Sequence, residues 1–130
     1  MKVSKQPDGA TVTRWFDSRT IEVAFQGQIS SGLIDQLIRD FISLTVDRAP
    51  RYALFDTENA TGITANARAN ASRFLAQFKM RGGREIVAIV NVLSLRMLGQ
   101  ALTFASGVPL KMFATREQAL NYIVAKLKED

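Results

Sequence analysis

A short polar segment near the middle of the chain contains the side chains best suited to bind a ligand or to be modified. Asp56 follows an apolar run, and Thr61, Gly62 and Thr64 precede an amphipathic stretch. The start of a helix favours phosphate or carboxylate, and a phosphothreonine would fit there. The competing interpretation is that Asp56 forms a turn and that a threonine only caps the helix.

Two carboxylates in this segment, Asp56 and Glu58, are separated by one residue. Such a pair can hold a magnesium ion or act as acid and base, but the same spacing is common in ordinary turns. The segment contains neither of the glycine-rich motifs that bind nucleotide phosphates. We therefore predict no catalytic residue, no metal ion and no cofactor.

The stretch after this segment is basic and polar on one side. No acidic residue occurs from 59 to 84, whereas Arg68 and Arg73 lie within it, together with the polar residues Asn66 and Asn70. A surface of one sign attracts a partner of the other, so an acidic protein surface is the predicted partner. Specific binding of nucleic acid is not predicted, because no base-stacking aromatic residue is expected on that side.

A second candidate site lies further along the chain. Arg96, Met97, Leu98 and Phe104 fall in one predicted helix, where long apolar side chains can line a pocket for an amphipathic ligand. Arg96 would then hold the ligand's acidic group through two hydrogen bonds. At helical spacing the same apolar residues also fit a plain hydrophobic core.

The composition excludes several classes of protein. The chain has 130 residues, a net charge of +5, no cysteine and no histidine. Disulfides, thiolate and imidazole catalysis and nearly all zinc sites are therefore ruled out, and we predict that the protein is not an enzyme. Residues 1–56 carry seven basic and seven acidic groups, so the positive excess lies entirely in residues 57–130.

Periodicity predicts a single α/β domain over residues 11–130, preceded by a flexible N-terminus at residues 1–10. The element order is ββαβαβαβα. It gives a mixed five-stranded sheet with the first strand antiparallel, the rest parallel, and four helices. Predicted strands are residues 11–16, 20–26, 51–56, 85–91 and 110–113. The first predicted helix begins near residue 31. The other three cover about residues 64–80, 94–106 and 115–128.

Several phrases of the sequence resemble the STAS superfamily, in its SpoIIAA-like (STAS/SEC14-like) branch. They are FQGQIS, RYALFD, TENATGITANARA, EIVAIVN, SLRMLGQALTFASGV and MFATREQALNYI. Together they cover about residues 11–127. The resemblance implies a fold of alternating strands and helices without a catalytic centre, and a role in regulation, protein interaction or small-ligand binding.

The anti-sigma-factor antagonists of this superfamily carry a phosphorylated serine in an Asp-Ser-Ser-Gly phrase. The matching stretch here is FDTENATGIT, which contains no serine. The resemblance places Asp56 at the acidic position and the pair Thr61-Gly62 nearest to Ser-Gly. It thus implies that Thr61 is the modifiable hydroxyl.

These observations lead to one functional hypothesis and one alternative. The first is a regulatory module of bacterial-type signalling that acts through a protein partner and is switched at the segment before the second helix. The alternative is a carrier of a small amphipathic ligand or lipid. With no membrane-spanning stretch and no apolar signal segment at the N-terminus, we expect a cytoplasmic protein. Homodimer formation through an uncovered sheet face or the edge of the first strand stays open.

Overall fold

Six strands pair in chain order to form one mixed sheet in the computed structural model, which describes residues 1–129. The strands are β1 (Lys2–Gln6), β2 (Gly9–Trp15), β3 (Thr20–Ile29), β4 (Tyr52–Ile63), β5 (Glu85–Ile89) and β6 (Leu110–Phe113). The helices are α1 (Ser31–Leu44), α2 (Ala67–Met80), α3 (Leu93–Ser106) and α4 (Arg116–Glu129). β1, β2 and β3 pair antiparallel, and β3 to β6 pair parallel. No helix within residues 1–129 has the length and apolarity needed to cross a membrane.

The sheet separates two hydrophobic cores of unequal size. Helices α1, α2 and α3 cover one face, where they form the larger core, and α4 packs on the other face against β4 and β5. β5 is apolar at successive positions because it is buried on both sides: Ile86 and Ala88 belong to the larger core, Val87 and Ile89 to the smaller. The single α/β domain with four helices is confirmed.

Helix α1 forms where its apolar stripe and its cap predict it. The hydroxyl of Ser30 accepts a hydrogen bond from the Leu33 N–H at 3.2 Å, which satisfies one of the free donors of the first turn. Leu33 is buried, and the other buried apolar positions belong to the larger core, namely Ile34, Leu37, Ile38 and Phe41. The helix ends at Thr45, whose hydroxyl donates to the Phe41 carbonyl at 2.7 Å.

The prediction of five strands was wrong by one, because the segment expected to be a flexible N-terminus contains β1. Residues Pro7 and Asp8 make a two-residue turn, and β1 then pairs with β2 from Gln6↔Gly9 to Lys2↔Thr13. A Cβ at Gly9 would lie 2.2 Å from the Gln28 carbonyl oxygen, so glycine is required there. Hydrophobic alternation does not reveal β1, since it is an edge strand with mostly polar, exposed residues.

The predicted loop after residue 56 is also part of a strand. β4 continues to Ile63 and pairs with β3 as far as Ile29↔Ile63, with register shifts between Ala24 and Gln26 and between Gly27 and Gln28. These irregularities accommodate the turn-forming residues within the strand. As a result α2 begins at Ala67 rather than near residue 64.

The cap of α1 gives a direct test of this local structure. We expect Ser30→Ala to lower the free energy of unfolding by about 1 kcal/mol, because the Leu33 N–H loses its acceptor. Urea denaturation monitored by circular dichroism measures the change. The matched variant is Ser43→Ala, at an exposed position of the same helix, which should change stability by less than about 0.5 kcal/mol. Equal effects of the two substitutions would contradict the assigned cap.

Candidate functional site

The predicted binding segment runs along the end of β4 and into α2. Thr61 is exposed and Gly62 and Thr64 are half-buried, while Asn66 and Arg68 are exposed at the start of the helix. We call these five residues with Arg73 the β4–α2 surface. Neither threonine caps the helix: Thr61 lies in the strand, and the Thr64 hydroxyl donates to the Asn66 side-chain oxygen at 2.7 Å.

Two further predicted residues, Asn70 and Arg73, tie α2 to α1. The Asn70 amide donates to the Ser31 carbonyl at 3.0 Å, to the Ser31 hydroxyl at 2.6 Å and to Asp35 at 3.0 Å. Arg73 pairs with the same Asp35 carboxylate at 3.1 Å. Both partners of that ion pair are substantially exposed, so the pair contributes little stability, and the Arg73 guanidinium stays accessible from solvent.

Asp56 lies within β4, and its carboxylate caps a backbone N–H, as in the alternative to a catalytic role. One of its carboxylate oxygens accepts from the Glu58 N–H at 3.0 Å, and the other accepts from Arg116 at 3.1 Å. Its side chain therefore lies on the α4 side of the sheet and is mostly buried. Within residues 1–129 no three carboxylates are grouped so that they could hold a metal ion.

Arg116 completes a buried charge cluster that the sequence analysis missed. The Glu22 carboxylate in β3 is only 3% exposed and pairs with Arg14 and Arg116, each at 2.6 Å. The hydrogen bond to Glu22 raises the pKa of Arg116, and the Asp56 carboxylate acts in the same direction. Because Arg116 is the first residue of α4, the cluster fixes the start of that helix against β3 and β4. Glu22 and Arg116 are 94 positions apart, so no local pattern indicates this pairing.

A second polar contact holds α4 further along its length. The Tyr122 hydroxyl donates to both oxygens of Glu85, at 2.8 and 2.9 Å. Burial raises the pKa of Tyr122 well above its ordinary value, and the Glu85 carboxylate adds to this rise. Glu85 is the first residue of β5. Its carboxylate binds Tyr122 and so joins β5 to α4 within the fold.

The structure separates the four residues predicted to line a ligand pocket. Leu98 is half-buried and lines an apolar cavity, whereas Arg96 is exposed, Met97 is 60% exposed and Phe104 is 94% exposed. The prediction of a pocket lined by Met97 and Phe104 with Arg96 at its mouth was therefore wrong. Both apolar residues lie on the outer side of α3, which buries only Leu95. A helix period alone does not say which side of a helix faces inward.

Comparison with known proteins connects the chain to solved structures alone. No protein-family model and no curated protein match this sequence. A SpoIIAA-like protein of the DUF3478 family from Shewanella loihica has a TM-score of 0.65 and 16% identity, and 92% of this chain covers 96% of that one. An anti-sigma factor antagonist from Mycobacterium paratuberculosis has a TM-score of 0.64 and 17% identity, with coverage of 92% and 97%.

The anti-sigma factor antagonist SpoIIAA shares the same fold. In its unphosphorylated form it has a TM-score of 0.67 and 13% identity, with coverage of 87% of this chain and 96% of its own. The phosphorylated form of SpoIIAA, from Bacillus, has a TM-score of 0.64. The SpoIIAA-like fold implied by the sequence phrases is thus confirmed. At these identities the likeness concerns the fold, and function has to be argued from the side chains.

The charge cluster at the start of α4 can be tested by removing one cation. We expect Arg116→Gln to lower the free energy of unfolding by about 2 kcal/mol, because Glu22 stays buried with only Arg14 to offset its charge. Urea denaturation at neutral pH measures this. Arg68→Gln, which removes an exposed arginine from α2, should cost less than about 0.5 kcal/mol. A loss for Arg116→Gln no larger than that of the control would show that the cluster does not stabilise the fold.

Proposed function

We propose that the protein is a non-enzymatic regulatory module that binds an acidic surface of a protein partner through the β4–α2 surface. The observation that carries this proposal is the charge of that region. Arg68 and Arg73 reach solvent there, and α2 contains no acidic residue. Charge complementarity of this kind speeds association and selects the partner, even where it adds little to affinity.

The chemistry of the nearby carboxylates supports a binding role rather than catalysis. A general acid or base needs a carboxylate oxygen that can reach a substrate. Both oxygens of Asp56 already accept hydrogen bonds, one from the Glu58 N–H and one from Arg116. Glu58 is the other carboxylate near this surface; it is exposed to solvent, and the chain has no histidine or cysteine to act with it.

We further propose that Thr61 is the point at which the module is switched. Its side chain is exposed on β4, where a modifying enzyme can reach it. A phosphate adds about 1.5 to 2 negative charges near neutral pH. On a surface that attracts an acidic partner this charge would oppose docking and release the partner. SpoIIAA, which has the same fold, exists in phosphorylated and unphosphorylated forms, and this is in keeping with such a switch.

Charge reversal on the surface tests the docking proposal. The partner is first captured with the wild-type chain from its own host, identified by mass spectrometry and purified. We then expect Arg68→Glu to weaken its binding about tenfold in isothermal titration calorimetry, with a smaller effect at high salt. Lys128→Glu makes the same charge change on α4, on the opposite face of the sheet, and should leave affinity unchanged. Equal losses for both variants, or none for Arg68→Glu, would refute docking at this surface.

The switch is tested at the same interface with a pair of substitutions at one position. Thr61→Glu imitates part of the phosphate charge and should weaken binding of the purified partner, whereas Thr61→Ala should bind it as the wild type does. Both variants should unfold at wild-type urea concentrations, since the side chain is exposed. If Thr61→Glu binds the partner with unchanged affinity, charge at Thr61 does not control docking.

A further inference from the structure

An apolar cavity of about 120 Å³ lies between the sheet and the helices of the larger core. Its walls come from strands β3 to β6 and helices α1 to α3, and they include Phe25, Phe55, Phe74, Leu75, Leu98 and Leu102. An engineered cavity of about 150 Å³ with a similar leucine, isoleucine and phenylalanine lining takes up benzene. The space therefore suits one ring or a short branched alkyl group, and it is too small for a long acyl chain.

The cavity offers nothing to which water can bond. Only two of its lining residues, Thr57 and Thr103, have polar side chains. The Thr57 hydroxyl donates to the Ile89 carbonyl at 2.6 Å, and the Thr103 hydroxyl donates to the Gly99 carbonyl at 2.9 Å. Both donors are thus satisfied by the backbone. A buried water needs two to four polar partners, so this space favours an apolar guest.

A small, mostly apolar depression at the surface shares one lining residue with the cavity. It lies between α2 and α3 and is lined by Ser72, Leu75, Ala76, Lys79, Ala105 and Ser106. Leu75 lines both spaces, so this one side chain stands between the cavity and the surface. Leu75 is buried, so a guest reaches the cavity when this side chain and the half-buried Leu98 and Leu102 of α3 move aside.

The depression carries a positive charge that is only weakly engaged. The Lys79 ammonium has one hydrogen bond, to the Ser106 carbonyl, at a long 3.4 Å. An ammonium group has three donors, and neither α2 nor α3 contains an acidic residue. The Ser72 hydroxyl lines the same depression and can add a neutral hydrogen bond. A carboxylate is the group that this combination recognises.

The geometry points to a binding site for a small monocarboxylate that carries a single ring-sized apolar group. The ring occupies the cavity beyond Leu75, and the carboxylate pairs with Lys79 beside Ser72. This site differs from the β4–α2 surface, which does not include Lys79, so it stands or falls independently of the partner. In this site Lys79, rather than Arg96, binds the acidic group of the ligand.

Titration with a series of ω-phenyl carboxylates tests the site. Phenylacetate, 3-phenylpropionate and 4-phenylbutyrate vary the reach from ring to carboxylate, and 3-phenylpropionamide keeps the shape without the charge. Binding is followed by ¹H–¹⁵N chemical-shift changes of the full chain. We expect at least one acid to bind, with shifts centred on Leu75, Leu98 and Lys79, and to bind about tenfold more tightly than the primary amide of the same acid. Absence of binding by all three acids would overturn the proposal.

Three substitutions assign the contacts. Lys79→Gln should weaken the acid about tenfold and leave the amide unchanged, whereas Arg96→Gln, which removes an exposed cation of α3 outside the site, should change neither. Leu98→Trp should fill the cavity and abolish binding of acid and amide alike. The first two changes are at exposed positions and preserve the fold. They therefore test which cation binds the carboxylate even where the tryptophan disturbs packing. Loss of acid binding in Arg96→Gln, or its retention in Lys79→Gln, would overturn the assignment.

Discussion

A continuous group of five phenylalanine rings fixes α2 between α1 and the sheet. Phe74 of α2 lies 5.0 Å from Phe41 of α1 and 5.2 Å from Phe55 of β4, measured between ring centroids. Phe55 in turn meets Phe25 of β3 at 5.7 Å, and Phe78 stacks beside Phe74 at 6.4 Å. Each pair adds about 0.5 to 1.5 kcal/mol beyond the burial of its area. The position of α2, and with it both proposed sites, depends on this packing.

The rings also restrict the size of the residues that can lie next to them. Gly83 follows α2, and a Cβ at that position would lie 2.4 Å from the ring of Phe78, so no larger residue fits. On the cavity side Phe25, Phe55 and Phe74 leave a space between their faces and α3. Rigid rings cannot fill an irregular gap as methionine can, and α3, which buries one residue, does not close it.

The sequence predicted the parts of the fold whose signals are local. The apolar stripe of α1 and the apolar run of β5 are visible as short-range patterns, whereas the SpoIIAA-like fold was implied by the resemblance of several sequence phrases. β1 and the extension of β4 were missed because most of their residues are polar, and they form strands through pairing with β2 and with β3 respectively. The Glu22–Arg116 contact joins opposite ends of the chain, so only the assembled sheet brings it about.

The candidate site shows the same limit at the level of side chains. The sequence indicated that Asp56 accepts a nearby backbone N–H and that α2 has no acidic residue, but it placed Asp56 before a loop rather than within a strand. It also did not show that Asn70 and Arg73 bind α1 or that Phe104 faces solvent. The composition of a segment gives its net charge. The orientation of each side chain decides whether its charge binds another element of the fold or faces solvent.

That distinction explains how α2 and α3 display basic groups although the chain contains twelve acidic residues. Glu22 and Asp56 are paired with arginines on the α4 side, Glu85 bonds Tyr122, and Asp35 is shared by Asn70 and Arg73. These carboxylates stabilise contacts between elements and are not displayed as an acidic surface. The basic groups of α2 and α3 have no acidic residue on either helix to offset them. Both proposed sites lie on these elements and on the adjoining end of β4, and the negative charge proposed to bind at each would meet few competing carboxylates of the chain itself.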